Sequence, residues 1–329
     1  MLDEANKTVN YGEDPMAKSE YELIRLKSCS STNDYLKFVL PEGIDNKLPI
    51  FVLADQQTGG RGRLGRTWSS PPGGIYLSLL WPEALSANAA QSLPPIVALA
   101  VRTALQPLTT QQLALKWPND LLVVSGSERR KLVGILVELF GDRVIIGIGV
   151  NVYPTAQSTL GDTEAGNRRS GDRGTVPLSP YQVTEEPSPC HLQQPRSSSS
   201  SLAYLTDQGD LPQERLVDSG GYPQAWLADT QLNETAAKNL LNQAVEVLIE
   251  TLLQYLSRWQ ANEYSFASFT IEYRQHLIQV NEYVEVRNAN GELLAAGIVQ
   301  GIDDTGCLLI KSEDMVHKVS SGEVTLRTE

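Results

Sequence analysis

A run of glycines and arginines is the most unusual feature of the sequence, because residues 57–68 read QTGGRGRLGRTW. Glycine has no side chain, so the backbone N–H groups of such a loop can approach a ligand closely. Arg61, Arg63 and Arg66 add permanently charged, forked donors that suit phosphate or carboxylate oxygens. The pattern therefore predicts that residues 57–68, the glycine–arginine loop, bind an anion.

Two known phosphate-binding motifs match this loop by letter. Gly60, Gly62 and Gly65 satisfy G-x-G-x-x-G, and residues 60–67 approach G-x-x-x-x-G-K followed by Ser or Thr, with arginine in place of lysine. Both motifs must open a helix whose N-terminus faces the phosphates, whereas residues 68–74 read WSSPPGG and cannot begin one promptly. We therefore expect the loop to hold an anion with its own backbone and arginines, and to close over the ligand.

Two polar segments could contribute to the same site. SSTN at residues 30–33 puts small hydrogen-bonding side chains at the start of a predicted helix. KWPND at residues 116–120 sets a cation, an aromatic ring and a carboxylate between two predicted strands. Pro118 forces a turn there, which gathers these polar groups at one end of the strands.

Two apolar strands carry the remaining candidates. KLVGILVE at residues 131–138 places a single lysine at the entry to an apolar strand, and Gly134 leaves room for a ligand beside the backbone. GIGVN at residues 147–151 repeats this arrangement, with two glycines on one face of a strand and Asn151 at its end.

Apolar periodicity predicts the elements that must position these segments. Strands are predicted at residues 21–26, 50–54, 75–81, 113–117, 120–124, 132–140 and 144–152. Helices are predicted at 32–40 and at 94–105, the second with Pro94 and Pro95 in its first turn. A long amphipathic helix, capped by Asn233 and reaching Trp259, is predicted to pack on this domain. Strands and helices together indicate an α/β or α+β layered domain.

Short alternating strands return at the end of the chain. They are predicted at residues 283–286, 293–299, 307–310 and 324–326, with a hairpin at Asn290-Gly291. We therefore expect a small barrel there. Two other regions lack apolar periodicity, and we expect residues 1–20 to form a flexible N-terminal arm and residues 154–222 a disordered insertion.

Composition limits the partners. The net charge of −12 argues against nucleic acid. Cys29, Cys190 and Cys307 lie far apart without C-x-x-C spacing, which favours neither a disulfide framework nor a zinc site. The chain has no apolar run long enough for a membrane span and no signal peptide. We therefore expect a soluble, cytoplasmic protein that binds neither DNA nor membrane.

Taken in this order and spacing, SSTN, GRGRLGRTW, KWPND, KLVGILVE and GIGVN resemble the biotin protein ligases over residues 21–151. The resemblance continues through the long helix to residues 322–327. It implies an α+β fold in which a mixed β-sheet is layered with helices, as in class II aminoacyl-tRNA synthetase-like folds. The catalytic domain would span residues 21–275, and a small SH3-like β-barrel would span 276–329. The winged-helix domain of bifunctional members has no counterpart, so the chain resembles the ligase-only class.

The family joins biotin to ATP, releases pyrophosphate, and passes the biotinyl group from biotinyl-5′-AMP to one lysine of a biotin carboxyl carrier protein, as in acetyl-CoA carboxylase. The resemblance therefore implies ATP, Mg²⁺ and biotin as ligands and leaves a homodimer open. It assigns biotin binding to Ser31, Thr32, Asn33, Gln57, Arg61, Gly62, Arg63, Lys131, Gly134 and Gly147. It assigns ATP binding to Arg63, Arg66, Trp68, Lys116, Asn119, Asp120, Asn151 and Arg327. Lys131 and Arg63 would be catalytic, and Asp120 would hold the metal.

Two alternatives stay open at this point. A lipoate ligase of the same superfamily would run the same adenylation, although KWPND and GRGRxGRxW are features of biotin ligases. A regulator that binds biotinyl-adenylate without transferring it is the other alternative. The acidic composition argues against direct repression by such a regulator.

Overall fold

Seven strands form one mixed sheet in the computed structural model, which describes residues 21–38, 47–155, 222–228, 232–288, 290–313 and 315–326. They are β1 (Glu22–Leu26), β2 (Ile50–Ala54), β3 (Gly74–Leu80), β4 (Gln112–Lys116), β5 (Asp120–Ser125), β6 (Glu128–Phe140) and β7 (Arg143–Asn151). Their order is β1-β2-β3-β7-β6-β5-β4, with β1 and β2 parallel and the other pairs antiparallel. The seven predicted strands are confirmed, although β6 begins at Glu128 rather than Leu132.

Helices cover both faces of this sheet: α1 (Thr32–Phe38), α2 (Ala87–Leu105), α3 (Glu234–Ala261) and α4 (Thr270–His276). Side chains of a strand alternate between the two faces. Leu36 of α1 packs with Val52 and Ala54, whereas α2 and α3 pack with the intervening residues Phe51 and Leu53. The two long helices therefore lie on one face of the sheet. The opposite face carries only the short helix α1, so part of it remains available for a site.

The predicted start of α1 and the predicted cap of α3 are confirmed. The α1 helix begins at Thr32, and its predicted last residues lie outside the described part of the chain. Asn233 precedes α3 and accepts a hydrogen bond of 2.8 Å from the backbone N–H of Ala236. The Trp259 indole of α3 donates to Ser92 Oγ of α2 at 3.0 Å, so the two helices are joined in the core as well as packed together.

The predicted start of α2 is wrong. The helix begins at Ala87, where Ser86 Oγ accepts from the backbone N–H of Ala89 at 3.1 Å, and Pro94 and Pro95 lie in the helix interior. A proline there removes a backbone hydrogen bond and usually breaks a helix. The neighbouring residues Leu93 and Ile96 are completely buried, and this burial of apolar surface offsets the loss.

A second, five-stranded antiparallel sheet follows at the C-terminal end. It contains β8 (Tyr283–Arg287), β9 (Leu293–Ile302), β10 (Leu308–Ser312), β11 (Met315–Val319) and β12 (Glu323–Leu326), in the order β11-β10-β9-β8-β12. The four predicted strands are confirmed, whereas α4 and the largely exposed edge strand β11 were not predicted. Trp117 joins the two sheets, since its indole N–H donates to the Gly306 carbonyl at 3.0 Å.

Several sequence predictions fall outside the described residues. These are the N-terminal arm at 1–20, nearly all of the insertion at 154–222, Cys190, and the nucleotide-binding residue Arg327. Cys29 and Cys307 are free thiols. None of the described helices is long and apolar enough to cross a membrane.

Candidate active site

Two rows of opposed residues form the floor of the site. Ser78, Gly147 and Leu136 lie side by side on β3, β7 and β6. In the next row Gly149 of β7 is opposite Gly134 of β6, and Gly134 is opposite Asp120 of β5. Opposed residues of antiparallel strands point to the same face. The three glycines therefore leave the middle of the floor without side chains, and α1 and the glycine–arginine loop can approach it there.

One end of the site is uncharged and rich in hydrogen bonds. The backbone N–H and the hydroxyl of Thr32 both contact Gln57 Oε1, at 2.9 and 3.1 Å. Ser78 Oγ lies 2.6 Å from both Thr32 Oγ1 and Asn33 Oδ1. A Cβ atom at Gly147 would lie 2.4 Å from Asn33 Oδ1, so the amide can rest here only because residue 147 is glycine. This end suits a neutral ligand group that exchanges hydrogen bonds.

The other end is charged. Asp120 lies between two lysines, with Oδ1 3.0 Å from Lys131 Nζ and Oδ2 3.8 Å from Lys116 Nζ. Lys116 and Asp120 are 5% and 9% exposed, so water screens this cluster only weakly. Two lysines against one carboxylate leave a net positive charge, which favours an anionic ligand.

Residues 223–225 hold Lys131 in place. Its backbone N–H donates to the Pro223 carbonyl at 2.7 Å, and its carbonyl accepts from the Ala225 N–H at 2.8 Å. Asn151 Nδ2 also lies 3.4 Å from the Lys131 carbonyl oxygen. The Tyr222 ring packs 4.5 Å from Lys116 Nζ, and burial raises the pKa of the Tyr222 phenol.

The glycine–arginine loop is a compact hairpin beside these groups. Gly62 N–H donates to the Arg66 carbonyl at 2.7 Å, and Trp68 N–H donates to the Gly60 carbonyl at 2.9 Å. The tip contains only a single 3₁₀ turn, at Arg63–Gly65, followed by extended backbone. The expectation that the loop does not open a helix is confirmed.

The arginines of the loop contact different parts of the site. Arg63 donates to Asn119 Oδ1 at 2.7 Å, beside the charged end. Arg61 instead pairs with Asp34 of α1 and with Glu138 of β6, next to the uncharged end. The two arginines therefore tie the loop to opposite ends of the site.

Trp68 separates the two ends. A Cβ atom at Gly134 would lie 2.8 Å from Trp68 Cζ3, and a Cβ atom at Gly149 would lie 2.4 Å from Trp68 Nε1. Lys131 Nζ lies 5.4 Å from the centroid of the indole. The ring is therefore set directly on the glycine floor, within reach of ligands at either end.

Most of the predicted site residues line one cavity. They are Ser31, Thr32, Asn33, Gln57, Arg61, Gly62, Arg63, Arg66, Trp68, Lys116, Asn119, Asp120, Lys131, Gly134 and Gly147. Asn151 does not line it and lies behind Lys131 instead. Ser78, Glu138 and Gly322 were not predicted as site residues, although a lone serine in the apolar run IYLSLL was a signal for Ser78. Among the described residues no group of three or more His, Cys, Asp or Glu side chains could hold a metal.

Comparison with known proteins gives two family matches. Residues 26–151 match the "Biotin/lipoate A/B protein ligase family", and residues 281–327 match the "Biotin protein ligase C terminal domain". The chain is 38% identical over 128 residues to "Bifunctional ligase/repressor BirA" of Escherichia coli, which is 37% of this chain and 38% of that protein. The alignments with this protein and with three relatives of the same name cover only 32% to 38% of the length of those proteins.

Other matches extend over more of the chain. The "Biotin--[acetyl-CoA-carboxylase] ligase" of Paracoccus denitrificans is 26% identical over 283 residues, which is 83% of this chain and 89% of that protein. The structure of a biotin protein ligase from Aquifex aeolicus in complex with biotin and ATP superposes with a TM-score of 0.57 at 24% identity, covering 93% of this chain and 99% of that one. The predicted fold, a layered mixed sheet followed by a small C-terminal β-domain, is thereby confirmed.

Proposed function

We propose that this chain, which belongs to the biotin protein ligase family, activates biotin with ATP and transfers the biotinyl group to a lysine of a biotin carboxyl carrier protein. The name of the Paracoccus denitrificans relative, which matches most of the chain, supports a carboxylase as the source of that carrier.

The observation that carries the proposal is the division of one cavity into an uncharged and a charged end. Biotin has a neutral ureido head, which needs paired hydrogen bonds in a buried slot, and a carboxylate at the end of its chain. Thr32, Asn33 and Gln57 suit the head. The carboxylate would lie near Lys131, on the side where Arg63 and Lys116 can receive the phosphates of ATP.

In the first step, a carboxylate oxygen of biotin attacks the α-phosphorus of ATP, and the bond to pyrophosphate breaks. Both reactants are anions, so their repulsion must be neutralised before they meet. Lys131 and Arg63 supply fixed positive charge in a poorly solvated site, where it is most effective. This chemistry needs no nucleophile from the protein.

In the second step, the lysine amine of the carrier attacks the acyl carbon of biotinyl-5′-AMP, the bond from that carbon to the phosphate oxygen breaks, AMP leaves, and the nitrogen gives up a proton to solvent. The mixed anhydride must be kept from water until the carrier arrives. The glycine–arginine loop and Trp68 line the cavity in which it would lie, and this arrangement supports a protective role.

Asp120 fits a Mg²⁺ that arrives with ATP better than a resident ion. It is a single carboxylate, and Mg²⁺ is commonly held by one or two carboxylates together with phosphate oxygens and water. Its oxygen Oδ2 has the longer lysine contact, at 3.8 Å, and is the candidate ligand. When bound, the ion would neutralise further phosphate charge.

The test combines the full chain with ATP, radiolabelled biotin and a carboxyl-carrier domain, and measures pyrophosphate release and label transfer. We expect biotin-dependent pyrophosphate release and labelling of the carrier, with lipoate as a poor substitute. Absence of biotin-dependent pyrophosphate release would overturn the proposal. Pyrophosphate release without transfer would instead identify a protein that only senses biotinyl-adenylate.

A further inference from the structure

Glu138 lies at the edge of the site and contacts two residues of α1 and one of the glycine–arginine loop. It is on β6, opposite Ile145 of β7, in the row next to Leu136. Its Oε1 atom lies 2.7 Å from Lys37 Nζ of α1. Its Oε2 atom accepts from Asn33 Nδ2 at 2.7 Å and from Arg61 Nη2 at 3.3 Å.

These contacts keep the carboxylate charged. Burial acts to raise the pKa of Glu138, but hydrogen bonds from Lys37 and Asn33 and the charges of Lys37 and Arg61 outweigh it. The pKa therefore falls below its ordinary value. At neutral pH, Glu138 accepts hydrogen bonds and donates none.

Because Glu138 can only accept hydrogen bonds, it fixes the orientation of the Asn33 side-chain amide. Its NH₂ group must face Glu138, so its Oδ1 atom faces Ser78 Oγ, 2.6 Å away, above Gly147. With the amide reversed, Oδ1 would face the carboxylate and be repelled. One hydrogen bond thus sets which Asn33 atoms a ligand meets at the uncharged end.

The same carboxylate holds the loop. Arg61 is the first arginine of the glycine–arginine loop, and its guanidinium lies between Glu138 and Asp34. Two carboxylates, one from β6 and one from α1, therefore anchor this side of the loop next to Asn33.

We propose that Glu138 is a positioning residue for biotin, which orients the Asn33 amide and holds Arg61 beside it. This inference rests on the proposed function, since it names biotin as the ligand. Glu138 does not line the cavity and acts through its neighbours.

The first test replaces Glu138 with glutamine, which keeps the size but loses the charge and one acceptor. Glu138→Gln should weaken biotin binding, measured by calorimetry without ATP, by about 10-fold, the effect of losing one charge-assisted hydrogen bond. The KM for ATP should change far less. Glu128→Gln, at the exposed start of the same strand, is the matched control and should bind biotin like the wild type. Melting temperatures report whether each variant folds.

The second test uses rescue, which a general loss of stability would not produce. Asn33→Asp places a carboxylate against Glu138 and should weaken biotin binding more than Glu138→Gln does. In the double variant Asn33→Asp/Glu138→Gln, the new amide at position 138 can donate to the new carboxylate at position 33, so the donor–acceptor pair is restored in reverse. The double variant should therefore bind biotin more tightly than Asn33→Asp alone.

Two outcomes would overturn the role of Glu138 while leaving the proposed function intact. One is wild-type affinity for biotin in a folded Glu138→Gln. The other is a double variant that binds no better than Asn33→Asp. If the wild-type chain itself does not bind biotin, the proposed function and this inference both fail.

Discussion

Arg63 donates a hydrogen bond of 2.8 Å to the carbonyl oxygen of Gly322, so the glycine–arginine loop is joined directly to the C-terminal sheet. The same guanidinium donates to Asn119 Oδ1 at 2.7 Å, in the turn between β4 and β5. Three segments far apart in the sequence therefore meet at one side chain. The position of the loop therefore depends on the C-terminal sheet as well as on the ligand site.

Arg63→Ala should loosen the loop and release biotinyl-adenylate early. The variant loses both hydrogen bonds, and we expect adenylate release to be roughly 10-fold faster. Hydrogen exchange at residues 61–67 and stray labelling of bystander lysines would measure the effect. Arg143→Ala, at the start of β7, is the control and should behave like the wild type. Unchanged exchange together with no stray labelling would count against a closing loop.

Lys131→Ala should cut pyrophosphate release by roughly 10²–10³-fold, the size of losing one preorganised charge contact. The fold should persist, because β6 keeps its backbone pairing at this position through Pro223 and Ala225. Lys238→Ala removes an exposed lysine on α3 and serves as the control. Near-normal pyrophosphate release by folded Lys131→Ala would contradict the role given to this lysine.

Gly149→Ala should displace Trp68 from the floor of the site. The new Cβ atom would lie 2.4 Å from Trp68 Nε1, so the ring must move. We expect adenylation to fall about 10-fold, the scale of a 1–2 kcal/mol overpacking cost. Adding Gly149→Ala to Trp68→Ala should then cost little more than Trp68→Ala alone. Additive losses would show that Gly149 acts independently of the indole.

His276 should make the protein less stable in mild acid. Burial lowers the pKa of His276, and the positive charge of Arg102 lowers it further, with partial compensation by Glu272. As the pH falls below about 6.5, the unfolded chain takes up this proton before the folded chain does, so stability decreases until the pH passes the lower folded pKa. The His276→Gln variant lacks this titrating group and therefore this loss of stability. The melting temperature of the variant should fall less than that of the wild type between about pH 7.5 and 5. Parallel decreases in the two proteins would contradict the prediction.

The sequence alone determined the strands, the long helix and most of the residues around the cavity. Apolar periodicity is a local property, and it located the seven strands of the first sheet and the capped start of α3. Motif spacing likewise selected Lys131, Asp120 and Asn33, because the sequence predicted each of them at the edge of a strand or the start of a helix. Lys131 lies inside β6, which begins three residues earlier at Glu128. Local signals failed for α2, whose internal prolines read as a helix start.

Only the tertiary structure decided how these residues are paired. Glu138 lies 105 residues from Asn33, and Arg63 lies 259 residues from Gly322, so no local pattern relates them. The resemblance assigned Trp68 to ATP binding, but its place on Gly134 and Gly149 depends on the register of β6 and β7. Side-chain contacts between distant segments form only when whole elements pack together, and that packing is a property of the complete core rather than of any stretch of sequence.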